Sequence, residues 1–402
     1  MAKTFLFNPD NDMALANGDA NYLPPKSARR MAEDLSILPA WWAEKGDTVL
    51  IPNTDGLYYW KQTLPDGLRL PEVEWITEKE PLPPQEITPW GWNPSVIKRL
   101  SLRGADQEWL PDGEKMNHLR TLSSRLTAVK VLEEMTQALA STHPLMGKSH
   151  ACTTEMEITD KVTTYAHTML KAPWSSSGKG LRRGQGLYEP PLSGWCARTL
   201  AQQGAVVVEP LYNKVKDFAM EFYSDATTSP LTFIGYSYFQ TDENGAYEGN
   251  MLTSDKCIEE ALSAYIPTDT LIAVREWLQA SLPHYLRGHY KGFIGVDMMM
   301  ICQSQPDTSQ EKYALHPCVE INLRMNMGVV AHILHERYVT PERVGRYMVE
   351  YFPTPEALKE AHLTRRDKYP LTFAPDGRIL KGYQPLTPIG KESQYCAWIL
   401  ID

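Results

Sequence analysis

Two acids and an amide stand nearest to chemistry in this sequence. Asp297 closes Gly295-Val296-Asp297 inside an apolar run, and after a polar stretch over 303–312 the chain returns with Glu320-Ile321-Asn322-Leu323-Arg324. Side chains alternate along a strand, so Glu320, Asn322 and Arg324 share one face. If the two runs pair as an antiparallel hairpin, Asp297 comes beside Glu320. Two carboxylates and an amide oxygen form a hard donor set suited to Mg²⁺, which takes few protein ligands and completes its shell with water and phosphate oxygens. Arg324 would then face the same phosphates. A polar outer sheet face would also carry such residues, but isolated acids inside apolar strands are costly to bury without a partner.

A second constellation is Lys171-Ala-Pro-Trp-Ser175-Ser176-Ser177-Gly178-Lys179-Gly180, followed by Arg182 and Arg183. Small residues let backbone amides approach an anion, hydroxyls add donors, and the cations neutralise charge. The spacing is not that of the G-x-x-x-x-G-K-[ST] phosphate loop. A basic surface hairpin would have a similar composition. A third is the apolar run 205–208 ending in Glu209-Pro210-Leu211-Tyr212, with Asp217 opening the next run. A carboxylate at Glu209 can accept from a purine amine or a ribose hydroxyl, and Asp217 can take a ribose hydroxyl. A solvated strand end is the plainer reading of Glu209.

Other candidates carry less. His332 and His335 are three apart, with no nearby cysteine or third histidine to complete a metal set. His316-Pro317-Cys318 reads as the start of a strand, and no G-x-S-x-G element is present. Asn8-Pro9-Asp10-Asn11-Asp12 follows the first apolar run. It is either a ligand-facing loop at a strand's carboxyl end or a helix-capping turn.

The elements that must position these residues follow from periodicity. Strand 4–7, helix 27–44 and strand 48–52 open a doubly wound α/β unit. Residues 63–94, rich in proline and tryptophan, read as irregular. Helical signals dominate 116–137, with Ser123 or Ser124 as cap. Strands are expected over 169–173, 205–211, 218–223, 231–239, 293–301 and 318–323, and helices over 193–203, 256–265, 268–286 and 327–337. The tail is expected to hold one more helix, over 341–351, and a polar stretch. The domains are accordingly set at 1–115, 116–212, 213–345 and a C-terminal extension 346–402.

Composition sets the outer bounds. The 402 residues are 43% hydrophobic and 22% charged, which is globular, with a net charge of −9 that disfavours a protein built to grip nucleic acid or anionic lipid. There is no run of ~20 apolar residues for a membrane span and no secretory leader pattern. The expected compartment is the cytoplasm, where six scattered cysteines would remain thiols.

In their order along the chain, the strand lysine Lys171 with its Ser/Gly loop, Glu209-Pro-Leu-Tyr, Gly295-Val-Asp297 and Glu320-Ile-Asn322-Leu-Arg324 resemble the ATP-grasp superfamily over about 120–345. Residues 1–115 are similar to the α/β domain that usually precedes it. The resemblance implies an ATP-grasp fold of two α+β subdomains after a doubly wound α/β domain. It implies ATP with Mg²⁺ or Mn²⁺ as cofactors. Lys171 would contact the phosphates under a closing loop 175–180, Glu209 and the backbone near Leu211 would hold adenine, and Asp217 the ribose. Asp297, Glu320 and Asn322 would take one or two metal ions, and Arg324 the reacting phosphates. Arg125, in Leu122-Ser-Ser-Arg125-Leu, stands where the family often has an ATP-contacting lysine, and Asp217 where glutamate is commoner. The implied activity is an ADP-forming carboxylate–amine ligase with small-molecule acid and amine substrates. A small-molecule kinase or a non-catalytic nucleotide-binding regulator are the alternatives. Neither a nucleic acid nor a membrane is an expected partner, and a homodimer is left open.

Overall fold

A computed structural model describes residues 2–175, 180–227, 229–241, 247–303 and 312–402. The chain divides into two compact units. The first comprises Met1–Met116, Glu248–Cys257 and Arg324–Asp402, and the second Asn117–Tyr247 and Ile258–Leu323.

The first unit opens with a parallel sheet of β1 (Lys3–Leu6), β2 (Thr48–Ile51), β3 (Glu74–Thr77) and β4 (Glu86–Pro89), in the order β3-β2-β1-β4. All four residues of β2 are buried, as suits a strand covered on both faces. The connecting helices are α1 (Asn11–Asn17), α2 (Lys26–Asp34), α3 (Leu57–Thr63) and α4 (Pro94–Leu102). Asn93 caps α4 by accepting from Val96 N at 3.0 Å, with Pro94 at the first helical position, where no N–H is needed. Two sequence expectations are corrected. The helix over 27–44 stops at Asp34, and a 3₁₀ turn with Pro39 at its second position follows over Leu38–Trp41. The stretch 63–94 is not wholly irregular, because β3 and β4 lie in it.

The second unit begins along α5 (Gly113–Leu122) and α6 (Arg125–Leu139). An antiparallel sheet β5-β8-β6-β7 joins β5 (His150–Cys152), β6 (Thr168–Lys171), β7 (Leu181–Gly184) and β8 (Val206–Pro210). Helices α7 (Glu155–Thr164) and α8 (Leu192–Gln203) contribute Ile158, Val162 and Cys196 to a core that also takes Cys152, Leu170, Val206 and Val208. A capping box closes the start of α7, with Thr154 and Glu157 exchanging hydrogen bonds. The unit's other sheet, in the order β13-β12-β9-β10, is antiparallel. It comprises β9 (Lys214–Asp225), β10 (Thr232–Thr241), β12 (Lys291–Gln303) and β13 (Lys312–Asn322). Helices α9 (Asp255–Ser263) and α10 (Thr268–Leu286) precede β12.

The rest of the first unit is α11 (Met327–Tyr338), α12 (Pro355–Lys368) and an antiparallel arrangement β11-β14-β17-β16-β15. Its strands are β11 (Tyr247–Leu252), β14 (Gly345–Tyr351), β15 (Thr372–Phe373), β16 (Ile379–Pro385) and β17 (Tyr395–Ile401). The helix expected over 341–351 is therefore a strand. Gly345 packs so closely that a Cβ there would lie 2.4 Å from the Leu400 carbonyl oxygen. The tail's helix comes later, capped by Thr354. Among the described residues no helix is long and apolar enough to cross a membrane, and the six cysteines are free thiols.

Candidate active site

The β12–β13 hairpin sets Asp297 opposite Glu320 and Gly295 opposite Asn322. Asn322 Nδ2 donates to Asp297 Oδ2 at 3.2 Å. Past this pair the register shifts, so that Met299 lies opposite His316, and β9 places Asp217 on the other side of Met299. Asp297 and Met299 are two residues apart and share a face. Their cross-strand partners share it too. One sheet face of the second unit thus carries Asn322, Glu320 and Asp297, and then His316, Met299 and Asp217 about 7 Å further along, at ~3.3 Å per residue. Pro317, which cannot donate, is tolerated because β13 is the edge strand.

Arg125 is the first residue of α6, after Ser124, whose hydroxyl accepts from Leu126 N at 3.2 Å. The Arg125 side chain is 8% exposed. Its Nη2 donates to Glu320 Oε2 at 2.8 Å, and its Nη1 donates to Ala172 O at 2.8 Å and Ser175 Oγ at 2.7 Å. Ser175 opens the serine–glycine loop and Gly180 ends it. The Ala172 amide donates to Gly180 O at 2.9 Å, and a Cβ on Gly180, whose φ is +83°, would fall 2.6 Å from Ser175 Cβ. The loop's two ends are therefore drawn together beside Arg125. Ser176, Ser177, Gly178 and Lys179 lie outside the described residues.

Lys171 ends β6 and pairs across the sheet with β8. Its Nζ lies 2.6 Å from Glu209 Oε2, and the two side chains are 8% and 5% exposed. Ser149 Oγ donates to Glu209 Oε1 at 2.9 Å. Burial pushes the Glu209 carboxyl up, but the Lys171 ammonium and the hydrogen bonds from Lys171 and Ser149 outweigh it and hold the group below the usual carboxylate range. A charge pair this dry is tolerable because its lone pairs are satisfied.

The remaining expected residues are placed as follows. Leu211 is exposed, and its amide already donates to His167 O at 2.9 Å, so this N–H is not free to read a base. The Asp217 carboxylate is paired with Lys214 and accepts from Thr241 Oγ1 at 3.1 Å. Arg324 belongs to the first unit, where Nε and Nη2 grip Asp12 Oδ1 and Oδ2 at 2.8 and 2.7 Å. Asp12 comes from the turn after β1, which is both a ligand to this arginine and the start of α1.

The donor set of Asp297, Glu320 and Asn322 fits a hard cation such as Mg²⁺, since two carboxylates and an amide leave coordination positions for water and phosphate. Among the described residues no group of three or more His, Cys, Asp or Glu side chains is placed to hold a metal ion. No protein-family model and no curated protein sequence matches the chain. Solved structures do. A biotin carboxylase–β,γ-ATP complex from Campylobacter jejuni is 10% identical, with a TM-score of 0.50 over 100% of this chain and 88% of that one. The chain has the ATP-grasp fold. An N5-carboxyaminoimidazole synthetase from Staphylococcus aureus, complexed with ADP, is 14% identical, with a TM-score of 0.49 over 100% and 93% of the two chains.

Two residues of the second unit carry no functional signal in the sequence reading. Ser149, which fixes Glu209, carries no sequence signal. His316 stands four residues before Glu320, and where its sequence context predicts the start of a strand it lies inside β13, which begins at Lys312. It is fully buried, and neither ring nitrogen has a hydrogen-bond partner among the described residues.

Proposed function

We propose that the chain is an ATP-dependent ligase. It would activate a carboxylate as an acyl phosphate and join it to an amine or another nucleophile, releasing ADP and phosphate. The observation that carries this reading is the Asp297–Glu320 register, with Asn322 hydrogen-bonded to Asp297. The nucleotide named for the Campylobacter jejuni structure supports it.

In this reading Asp297, Glu320 and Asn322 hold Mg²⁺ or Mn²⁺, which supplies the positive charge that lets two carboxylates face a triphosphate. Lys171 contacts the phosphates. Ser175, Ser176, Ser177, Gly178, Lys179 and Gly180 cover them and keep water out while the acyl phosphate exists. Glu209 and the backbone about Leu211, other than its amide already bonded to His167, hold the adenine and Asp217 the ribose. Arg324, oriented by Asp12, neutralises the transferring phosphoryl group. The substrate carboxylate oxygen attacks the γ-phosphorus as the bond to ADP breaks. The nucleophile then attacks the acyl carbon and inorganic phosphate leaves. No covalent bond to the protein is required, and positioning and charge supply the catalysis.

The test is a panel of amino acids and dicarboxylates incubated with ATP, Mg²⁺ and hydroxylamine. The expected result is a hydroxamate from one acid, with ADP and phosphate formed alongside. A stable phosphorylated alcohol or sugar, with no hydroxamate from any acid and no phosphate released, would make the chain a kinase instead.

A further inference from the structure

His316 is among the buried side chains of the second unit whose polar atoms are left unpaired. It is fully buried on β13, yet both imidazole nitrogens lack a hydrogen-bond partner among the described residues. A buried polar group left unpaired is a standing cost, and native structures retain one where a ligand or water completes it. Burial pushes its pKa down to about 4, so the ring is neutral near pH 7 and offers one donor and one acceptor.

Its surroundings say where that pair of groups could be used. The Tyr212 ring, just past Glu209, meets the imidazole edge-on with centroids 5.5 Å apart. A Cβ on Gly147 would lie 2.9 Å from Leu132 Cδ1 and 3.1 Å from His316 Cδ2 and Nε2, so glycine is what lets this backbone pack close to that edge of the ring. Register puts His316 on the same face as Glu320 and Asp297, beyond the carboxylates and level with Met299 and Asp217. A nucleotide whose phosphates meet Asp297 and Glu320, and whose ribose meets Asp217, brings its base to this end of the sheet.

We infer that His316 reads the nucleotide base: its donor and acceptor complete hydrogen bonds with the ring and exocyclic nitrogens of a purine, which makes it a specificity-determining residue of the site. The inference rests on the nucleotide reading above. It assigns to a side chain of β13 a discrimination that the Leu211 amide, already bonded to His167, does not make.

The experiment compares wild type, His316→Leu and His316→Gln in the full chain. Binding of a non-hydrolysable ATP analogue and its GTP counterpart is measured by calorimetry with Mg²⁺, and melting without nucleotide. His316→Leu removes the orphaned groups at similar volume. Its nucleotide-free melting temperature is expected to hold or rise, while ATP-analogue affinity falls about tenfold and the preference over the GTP analogue narrows by a similar factor. His316→Gln, which keeps a donor and an acceptor, should recover part of both. Should His316→Leu fail to fold, the comparison of wild type with His316→Gln carries the test, with weaker ATP-analogue binding and a narrower preference expected in the variant. Unchanged affinity and preference in His316→Leu would overturn the inference. A lower melting temperature with unchanged affinity would do so too, by showing a purely structural histidine completed by water. Wild type that binds neither analogue would overturn the parent reading, whereas wild-type binding with an indifferent His316→Leu overturns this inference alone.

Discussion

Arg125 donates from Nη2 to Glu320 Oε2 at 2.8 Å, so the first residue of α6 is tied to a carboxylate of the β12–β13 hairpin 195 positions away. The same guanidinium holds Ala172 O and Ser175 Oγ. A planar fork is what allows one side chain to bind the start of the loop and the hairpin acid together.

Arg125→Lys keeps the charge but not the fork. Charged hydrogen bonds of this kind contribute about 1.5–3 kcal/mol, so ADP formation is expected to slow by about ten- to a hundredfold. Steady-state rates with saturating ATP check this. A lysine variant at the wild-type rate would show that the bridge does not position Glu320.

The Lys171–Glu209 pair gives a stability prediction with a built-in control. Lys171→Met or Glu209→Gln alone strands a buried charge and should cost about 3–5 kcal/mol in urea unfolding. Replacing both with apolar residues of similar size should recover most of that loss, yet leave nucleotide binding impaired. Singles that cost nothing would contradict the burial and pairing described for these groups.

Acid sensitivity has a worked sign. The folded pKa of His316, about 4, lies below its ordinary 6.5, so only the unfolded chain takes this proton between those values. Stability contributed by neutral His316 is full above pH 6.5 and declines as pH falls toward 4, by about 3 kcal/mol in total. The Glu209 carboxylate on β8 opposes the shift and the Lys171 ammonium on β6 reinforces it. The depressed carboxyl of Glu209 adds a loss only below its ordinary 4.5. Urea midpoints from pH 7 to 4 should therefore fall more steeply in wild type than in His316→Leu, and parallel curves would refute the assignment.

What the sequence reveals here is what alternation and spacing can encode. Asp297 and Glu320 were legible because each sits as a lone acid in an apolar run, and a hairpin between the runs must bring them close. The core strands of the second unit were legible for the same reason, although β9 and β13 extend further than their apolar centres. The segment 341–351 was not, since its alternation and its apolar spacing fit either element, and close packing of Gly345 against β17 settled it as a strand. Asp12 as the partner of Arg324, Ser149 as the partner of Glu209 and the bridging geometry of Arg125 depend on side chains distant in the chain, which no local pattern specifies.

The most direct test of the account compares wild type with Glu320→Gln for nucleotide products from ATP, in the presence and absence of Mg²⁺, with the acid identified by the hydroxamate panel. The account predicts Mg²⁺-dependent formation of ADP and phosphate by wild type. It predicts a loss of roughly a hundredfold or more in Glu320→Gln, assayed below a melting temperature that falls because Arg125 loses its charged partner. AMP and pyrophosphate as the products, or ADP release at the wild-type rate by Glu320→Gln, would contradict it.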